Sequence, residues 1–495
     1  MLKKISSALV SVFNKDGLED IIQLLDKHKI KIISTGGTAE FVRKLKIPVT
    51  EVETITNYPA LFGGRVKTLQ PQIFGGILNR RENIDDQKEK KEHKIEDIDL
   101  VIVDLYPFLE TLMSDGSEEE IIEKIDIGGI SLIRAAAKNF KDVVVISSKH
   151  QYKELVEILK RGNETSLEER ENFAGYAFAV TSTYDSAIRG YFQGTPLRYG
   201  ENPHQKGEFI GNLEESFIQL HGKELSYNNL IDTEAAILVV SDFKDPAFAI
   251  IKHMNTCGLA VRPEGHLLEA YQAAYNADPL SAFGGILAAN RTIGEDIAKF
   301  IKEQKFFIEV IIAPDFSKEA LSILQEKKDC RILKWKNPVL PAKQMRTCFT
   351  GILSQDRDTH VESEKDLKVT SKRAPTNAEK KDLLIASIAT KHLKSNSVVL
   401  VKDGTLLSMG CGQTSRIDAL KQAIDKANKF GFSLKRAVLS SEAFFPFSDC
   451  VELAAQNGVS AVIHPGGSKN DQASIDMADK YKMAMVTTGF RHFKH

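Results

Sequence analysis

Short apolar runs alternate with amphipathic segments through residues 1–150, and this alternation restricts the possible folds more than any other feature of the chain. The apolar runs are residues 8–13, 30–34, 100–104 and 143–146, and the amphipathic segments after the first two are residues 18–28 and 39–45. Strands that alternate with helices in this way form a parallel sheet covered by helices. Because crossovers are right-handed, the carboxyl ends of such strands share one edge, where small ligands bind.

The chain is too long for one hydrophobic core. It has 495 residues, whereas single cores stop growing beyond about 250 to 300 residues. Residues 151–192 have a mainly helical pattern, and the run Gln193-Gly194-Thr195-Pro196 then breaks the helix. We therefore predict two domains, residues 1–193 and residues 194–495. The second domain repeats the alternation of strands and helices and contains a hairpin at residues 398–409 with a D-G turn.

Charge and cysteine content exclude several classes of protein. Lys and Arg (66) nearly balance Asp and Glu (67), so no net field holds a nucleic acid or an anionic membrane. The five cysteines are odd in number and form no CxxC pair, which favours the reducing cytoplasm over a disulfide framework. No apolar run is as long as a membrane span, and residues 5–13 fit a buried strand better than a signal sequence. We expect a cytoplasmic protein that binds small molecules.

Glycine-rich turns of the first domain carry polar residues that suit an anionic ligand. Thr35-Gly36-Gly37-Thr38 ends one strand and opens a helix, whose N-terminus stabilises a bound anion by about 0.3 to 1 kcal/mol. Arg65 and Lys67 follow a second Gly-Gly pair and point to one side of an extended segment. Taken alone, the first turn fits an ordinary strand-to-helix turn with hydroxyl caps equally well, and the second fits a surface loop with solvated charges. Asp126, beside a third Gly-Gly pair, is harder to explain in that way.

Two further candidates of this domain rest on position alone. Tyr106 follows a buried strand and is turned out of it by Pro107, which would present its ring at the ligand edge, although the ring fits a core position equally well. Lys138 ends an alanine-rich helical run, where a lysine normally faces solvent.

Five segments in a fixed order relate the first domain to a known family. The segments TGGTAE, GGRVKTL, LYPF, IDIGG and RAAAKN resemble the inosinate (IMP) cyclohydrolase domain of the bifunctional purine biosynthesis family. The resemblance implies a doubly wound, methylglyoxal-synthase-like fold that closes formylated aminoimidazole carboxamide ribotide (FAICAR) to IMP with loss of water. The implied substrate contacts are Ser11, Lys15, Thr35, Gly36, Gly37, Thr38, Arg65, Thr68, Asp104 and Ile127. The implied catalytic residues are Lys67, Tyr106, Asp126 and Lys138.

The chain departs from this family at two positions. The family usually reads KTLHP and NLYPF, whereas this chain has Gln70 and Asp104. Gln70 cannot titrate and so cannot shuttle a proton, and Asp104 places a charge where an amide is usual.

Ring closure joins two groups of one molecule, so positioning supplies much of the acceleration. The carboxamide nitrogen attacks the formyl carbon, and an oxyanion develops. We expect Lys67 and Tyr106 to donate to the formyl oxygen. Asp126 would orient the attacking amide, and Lys138 would exchange a proton.

The second domain contains an apolar strand that ends in adjacent Lys252 and His253. A histidine titrates near neutral pH and can act as a general base, although an ordinary surface histidine fits here as well. The turn that follows ends the strand, so both side chains can reach one site.

An ordered set of motifs across this domain resembles the AICAR formyltransferase domain of the same family, AICAR being the unformylated ribotide. The motifs are LRYGENPHQ, IIKHMNTCG, SAFGG, KSNS, GQTSRI, SEAFFPF, HPGGS and RHFKH. The resemblance implies a cytidine-deaminase-like α/β fold of two subdomains, with 10-formyltetrahydrofolate as formyl donor. The implied reacting centre is Lys252, His253 and Asn396. The implied ribotide contacts are Arg198, Tyr199, Gly284, Glu309, Phe444 and Arg491, and the implied folate contacts are Arg416, Ile417, Asp449, Ser468 and Lys469.

The same resemblance implies a homodimer with the transferase site near the dimer interface, and no metal. Two departures occur: Glu309 replaces a shorter acid, and His464 stands where a glutamine is commoner. In formyl transfer the aromatic amine is a poor nucleophile, so we expect His253 to remove its proton. Lys252 and Asn396 would then stabilise the oxyanion on the formyl group.

Two other functions compete with this interpretation. A zinc hydrolase would need H-x-E followed by P-C-x-x-C, but the first occurs only as His360-Val361-Glu362 and the second does not occur. A nucleotide sensor without catalysis would need the phosphate contacts but not Lys138, Lys252 or His253. The presence of all three residues favours an enzyme.

Overall fold

The computed structural model describes residues 2–114, 117–349 and 351–495 of the protein. The chain divides into two compact units, Met1–Gly194 and Thr195–His495. Each unit buries a hydrophobic core of its own. None of the helices within the described ranges is long and apolar enough to cross a membrane.

A parallel sheet forms the centre of the first unit. The strands of this unit are β1 (Lys3–Lys4), β2 (Ser7–Ser11), β3 (Lys31–Ser34), β4 (Thr50–Glu51), β5 (Leu100–Val103), β6 (Val144–Ile146) and β7 (Glu164–Thr165). Five of them form a parallel sheet in the order β4-β3-β2-β5-β6, which confirms the predicted sheet. The order reverses between β2 and β5, and such a reversal leaves a crevice at the carboxyl ends of the two strands.

Helices occupy the segments between and after these strands. They are α1 (Leu18–Lys27), α2 (Gly36–Lys44), α3 (Val52–Thr56), α4 (Pro71–Leu78), α5 (Ile84–Glu92), α6 (Phe108–Met113), α7 (Glu118–Glu123), α8 (Gly128–Lys138), α9 (Tyr152–Lys160) and α10 (Leu167–Gln193), with 3-10 turns at Phe62–Gly64 and Lys149–Gln151. Helix α1 buries Leu18, Ile22 and Leu25 along one stripe, as the amphipathic pattern predicts. Helix α2 begins directly after β3, and α8 begins at a Gly-Gly pair.

A twelve-stranded mixed sheet forms the centre of the second unit. The strands from residue 194 onward are β8 (Gly194–Leu197), β9 (Gly207–Ile210), β10 (Phe217–His221), β11 (Ala247–Lys252), β12 (Asn255–Val261), β13 (Gly285–Ala289), β14 (Ile308–Ala313), β15 (Arg331–Trp335), β16 (Lys343–Cys348), β17 (Gly351–Asp356), β18 (Lys368–Val369), β19 (Val398–Lys402), β20 (Thr405–Gly410), β21 (Val438–Ser441), β22 (Ala461–His464) and β23 (Ala484–Thr487). Their order in the large sheet is β10-β15-β14-β13-β11-β12-β20-β19-β21-β22-β23-β18. The pairs β8-β9 and β16-β17 form separate two-stranded sheets. The predicted hairpin at residues 398–409 is confirmed as β19 and β20.

The large sheet has two halves, each with three parallel strands, and the helices of this unit are divided between them. They are α11 (Tyr227–Ser241), α12 (Leu267–Ala277), α13 (Pro279–Ala282), α14 (Glu295–Glu303), α15 (Lys318–Leu324), α16 (Asn377–Lys391), α17 (Arg416–Lys429), α18 (Asp449–Gln456) and α19 (Asp471–Lys480), with 3-10 turns at Leu213–Glu215 and Glu364–Asp366. Strands β13, β14 and β15 are parallel, as are β21, β22 and β23. Antiparallel β11, β12, β20 and β19 join the two halves.

The strand directions bring several loops to one edge of the large sheet. Strand β11 ends at Lys252 and β12 begins three residues later. Because β19 is antiparallel to β21, its first residue Val398 pairs with Ser441, the last residue of β21. The ends of β11, β20, β21 and β22 and the beginning of β19 therefore lie along the same edge.

Candidate active sites

A cavity of about 630 Å³ lies at the carboxyl ends of β2, β3 and β5 in the first unit. Its wall is formed by the loops after these strands, the segment 63–69 and the start of α8. Of the residues implied for this unit, those that line the cavity are Ser11, Lys15, Thr35, Gly37, Thr38, Arg65, Lys67, Thr68, Asp104, Tyr106, Asp126 and Ile127. The crevice left by the strand order thus collects segments that are far apart in sequence.

The Lys67 ammonium lies over the first turn of α2. A Cβ atom placed on Gly36 would lie 3.5 Å from Lys67 Nζ, and one on Gly64 would lie 2.6 Å from Lys67 Cε. Gly64 also has φ of 96°, a conformation that favours glycine, and a side chain there would displace the Lys67 ammonium. Within the described ranges, Lys67 has no carboxylate in ion-pair distance. A helix N-terminus with an uncompensated ammonium above it is suited to a phosphate.

Asp126 and Tyr106 face this cavity from the other side. The Asp126 carboxylate accepts a hydrogen bond from the Gly129 amide at 2.6 Å, and burial raises the pKa of Asp126 above its ordinary value. Burial, assisted by the nearby Asp126, also raises the pKa of Tyr106. The tyrosine therefore keeps its proton and can serve as a hydrogen-bond donor, while the aspartate can take up a proton more readily than a solvated one.

Two implied substrate contacts hold the loop that follows β2. Asp104 accepts hydrogen bonds from the amides of Phe13 and Asn14, and burial raises the pKa of its carboxyl group. Lys15 Nζ donates to the carbonyls of Val12 and Phe13 at 2.9 and 2.8 Å. The charge at residue 104, where the family usually has an amide, therefore has backbone donors as its partners.

The positions of Arg65 and Lys138 agree less directly with the roles implied for them. Arg65 forms an ion pair with Glu123, which also lines the cavity and which the sequence did not indicate. Lys138 is exposed at the last residue of α8, whose first residues line the cavity, and ten residues of helix rise about 15 Å. A single chain therefore does not bring Lys138 to this cavity, and its catalytic role stays a prediction.

In the second unit, Lys252 and His253 lie where β11 ends. His253 and Met254 both have positive φ, 52° and 61°, so the strand ends here as predicted. The turn is shorter than the expected segment 254–258, because residues 255–258 already belong to β12. Lys252 Nζ donates to the carbonyls of Phe283 and Gly284, each at 2.9 Å. The amide of Met254 donates to Asp232, which fixes the turn.

Asn396 lies on the same edge, before β19, with both ends of its amide engaged. Its Nδ2 donates to the carbonyls of Gln413 and Thr414 at 3.0 and 3.2 Å. Its Oδ1 accepts from Arg416 Nη2 at 2.8 Å. Arg416 is itself buried and bonds the buried Glu442 at 2.5 Å, so its guanidinium orients Asn396 within the protein. Contact of Arg416 with folate stays a prediction.

Several of the implied ligand contacts lie along this edge. Gly284 precedes β13, and Glu309 on β14 pairs with Arg331 at 2.8 Å and with Asn229 at 3.4 Å, two partners that the sequence did not indicate. Ser468 and Lys469 lie in the loop after β22, and half-buried Phe444 lies in the loop after β21. Asp449 is the first residue of α18, and Ile417 lies in α17. Arg198 stacks on Tyr199, and Arg491 stacks on Phe493.

The structure also explains the motif that suggested zinc. His360 and Glu362 of the H-x-E sequence lie against the segment of His492, where Glu362 and His492 form an ion pair. Across the described parts of the chain, no group of three or more His, Cys, Asp or Glu side chains is arranged to hold a metal ion.

Two family models match the chain. The model of the MGS-like domain matches residues 17–131, and that of the AICARFT/IMPCHase bienzyme matches residues 136–426. A protein of Bacteroides thetaiotaomicron named bifunctional purine biosynthesis protein PurH is 52% identical, covering 100% of this chain and 99% of the relative. Relatives of the same name from a Thermoanaerobacter species and Persephonella marina are 43% and 45% identical, with 99% of each chain covered.

The chain belongs to the AICARFT/IMPCHase bienzyme family. It is a bifunctional enzyme of purine biosynthesis, an AICAR formyltransferase and IMP cyclohydrolase that catalyses the last two steps of IMP synthesis. The activities implied by the sequence motifs are thereby confirmed.

His464, a departure from the family, is buried beside the loop that carries Ser468. Its Nδ1 accepts the Gly466 amide hydrogen at 3.1 Å, and its ring lies 5.0 Å from that of Phe445. Burial lowers the pKa of His464 to about 4, so the ring is neutral at physiological pH. A glutamine could accept the same hydrogen bond through its carbonyl oxygen.

This environment predicts an acid sensitivity. The unfolded histidine titrates near pH 6.5, so below that pH the unfolded state binds a proton that the folded state does not, and stability falls toward pH 4. His464→Gln should remove about 2 kcal/mol of this loss at pH 4.5. Urea unfolding of both proteins at pH 7 and pH 4.5 tests it, and an equal acid loss in the two would contradict it.

Proposed function

We propose that the two activities are divided between the two units: residues 1–193 close FAICAR to IMP, and residues 194–495 transfer the formyl group from 10-formyltetrahydrofolate to AICAR. The observation that carries the first assignment is the cavity in which Lys67, Tyr106 and Asp126 converge beside the N-terminus of α2. The second rests on the sheet edge shared by Lys252, His253 and Asn396.

Ring closure begins with the ribotide phosphate at the first turn of α2, under the Lys67 ammonium. The carboxamide nitrogen forms a bond to the formyl carbon, and Lys67 and Tyr106 donate to the oxygen on which charge develops. Asp126 orients the attacking amide and takes up its proton, which its raised pKa favours. Asp126 returns that proton to the former formyl oxygen, which leaves as water with the proton lost from the formamide nitrogen as the ring C=N bond forms. A role for Lys138 in this proton transfer requires a second copy of the chain.

Lys67→Ala should separate the two reactions. Loss of one preorganised oxyanion donor typically lowers a rate by roughly 10² to 10³, so IMP formation from supplied FAICAR should fall by that factor. Formyl transfer, followed by release of tetrahydrofolate, should stay within a few-fold. Lys44→Ala, which removes an exposed lysine of α2, is the matched control. Equal loss of both activities in Lys67→Ala would show a folding defect instead of a catalytic role.

Formyl transfer requires deprotonation of a weakly nucleophilic amine. As the amine nitrogen forms its bond to the formyl carbon, His253 accepts the proton. Lys252 donates its free N–H to the oxyanion, and Asn396 does the same after one Nδ2 hydrogen leaves its 3.2 Å bond to the Thr414 carbonyl. The bond to N10 of the folate then breaks, and the proton returns to that nitrogen. The loops after β21 and β22 are suited to the folate because exposed Lys469 can bind its carboxylates.

His253→Ala should lower kcat of formyl transfer by roughly 10² to 10⁴, the usual contribution of a general base. The affinity for AICAR should remain within a few-fold, because the ribotide contacts are intact. His266→Ala, at an exposed histidine of the same unit, is the control. Stopped-flow transfer and equilibrium binding of AICAR distinguish the outcomes, and near-normal transfer in His253→Ala would rule out the base.

A homodimer is supported by the hairpin of β16 and β17. This two-stranded sheet pairs with no other strand of the described chain, and its apolar side chains are exposed, with Met345 at 72% and Ile352 at 64%. An isolated hairpin is at best marginally stable in water, so a second copy of the chain is the proposed cover.

The distribution of site residues supports the same proposal. Glu309 on β14 and Ser468 after β22 are seven strand spacings apart in the large sheet, about 34 Å along its edge. A ribotide and the reacting part of the folate cannot span that distance, so the transferase site would be completed near the dimer interface. The five free cysteines support a cytoplasmic location.

Ile352→Lys should weaken the dimer, because a charge would be buried against the partner. Light scattering at low micromolar concentration should give two chains for the unmodified enzyme and one for the variant, with a parallel loss of formyl transfer. Ile218→Lys, at a partly exposed position on β10, should change neither. A single chain measured for the unmodified enzyme would contradict the proposal.

A further inference from the structure

The segment that follows β23, residues 488–495, is held to the second unit by backbone hydrogen bonds and by one buried histidine, His492. His492 Nδ1 lies 2.6 Å from Asp358 Oδ2, and His492 Nε2 lies 3.0 Å from Glu362 Oε1. His492 is buried, as is Glu362. Carboxylate oxygens only accept hydrogen bonds, so both ring nitrogens must donate, and the ring is an imidazolium. No step of the formyl transfer proposed above uses this positive charge.

Two chains of hydrogen bonds lead from this segment to Asn396. In the first, the Ser395 amide donates to the Lys494 carbonyl at 2.9 Å, and the Lys494 amide donates to Ser395 Oγ at 3.2 Å. Ser395 immediately precedes Asn396, so the segment fixes the backbone at that residue.

The second chain of hydrogen bonds passes through a buried ion pair. The His492 amide donates to the Glu442 carbonyl at 3.1 Å. The Glu442 carboxylate accepts from Arg416 at 2.5 Å, and Arg416 donates to Asn396 Oδ1 at 2.8 Å. The segment is thereby connected to the side chain of Asn396 as well as to its backbone.

We propose that His492 is a positioning residue for formyl transfer: its imidazolium clamps the 488–495 segment between Asp358 and Glu362, and the clamped segment holds Asn396 in place. The proposal rests on the proposed function, since it takes Asn396 as part of the reacting centre. Arg491, an implied ribotide contact, lies next to the clamp and would be positioned by the same pair.

The surroundings of the ring determine when the clamp holds. Besides Asp358 and Glu362, the titratable or charged groups near it are His360, whose ring is stacked 6.4 Å away, Lys391 near Asp358, and the Glu442–Arg416 pair behind its backbone. Burial opposes the positive charge, but the hydrogen bonds to Asp358 and Glu362 outweigh it and raise the pKa of His492 to about 9.

The sign of the pH dependence follows from this pKa. Because the folded value lies above the unfolded value near 6.5, the clamp is complete at neutral pH and is lost as pH rises through about 9. Formyl transfer should therefore decline over that range, while IMP formation by the first unit should not share this decline.

Glu362→Gln is the decisive variant. It preserves an acceptor for His492 Nε2 but removes one of the two negative charges that favour the imidazolium. The alkaline midpoint of kcat for formyl transfer should move down by about one pH unit or more. An NMR titration of His492 should move by the same amount, and KM for AICAR at pH 7 should stay within a few-fold. His266→Gln, which removes an exposed histidine–glutamate pair, should leave the profile unchanged.

His492→Gln removes the titrating group itself. Formyl transfer should fall by roughly tenfold or more at pH 7, and the limb near pH 9 should disappear, with IMP formation as the internal test that the protein is folded. If this variant does not fold, Glu362→Gln alone decides. An unmoved midpoint in Glu362→Gln would overturn the clamp. Full formyl transfer in Asn396→Ala would instead overturn the assignment of the reacting centre, so the two failures are distinguishable.

Discussion

The reversal of strand order between β2 and β5 is the constraint on which the first site depends. Neighbouring parallel strands whose crossovers leave in opposite directions cannot be covered by one helix at their carboxyl ends. The opening draws in the loops after β2, β3 and β5, and the Gly-Gly pairs let Lys67 and Asp126 approach backbone that any side chain would obstruct. The cavity is therefore a result of topology, and its polar lining is a result of where glycines allow close contact.

In the second unit, a different kind of interaction fixes the positions of the loops. Its edge loops are joined by buried charges, above all the pair of Arg416 and Glu442, which connects three loops at once. Desolvating such a pair brings little net stability, but removing one partner leaves a buried charge that costs about 3 to 5 kcal/mol. Interactions of this kind specify one loop arrangement more than they stabilise the fold.

Much of this architecture could be predicted from the sequence, because strand periodicity and glycine turns are local signals. These signals predicted the parallel sheet, the hairpin of β19 and β20, and the end of β11 at Lys252. The order of the motifs indicated both activities. The partners of Glu309 and the ion pair of His492 did not, since Arg331 lies 22 residues from Glu309 and Asp358 lies 134 residues from His492. Lys138 was assigned by its motif, but it lies at the far end of α8 from the residues that line the cavity. The hairpin of β16 and β17 lies in a stretch without recognisable motifs.

The two hydrogen bonds from Lys252 to the carbonyls of Phe283 and Gly284 change what kind of donor this lysine is. A free ammonium rotates and presents charge without direction, whereas one with two of its three N–H bonds committed can offer only the third. The remaining hydrogen is then aimed by the backbone of the loop before β13. A flexible side chain thus acquires the directionality usually associated with a backbone amide, and the loop, more than the lysine, decides where an oxyanion would be recognised.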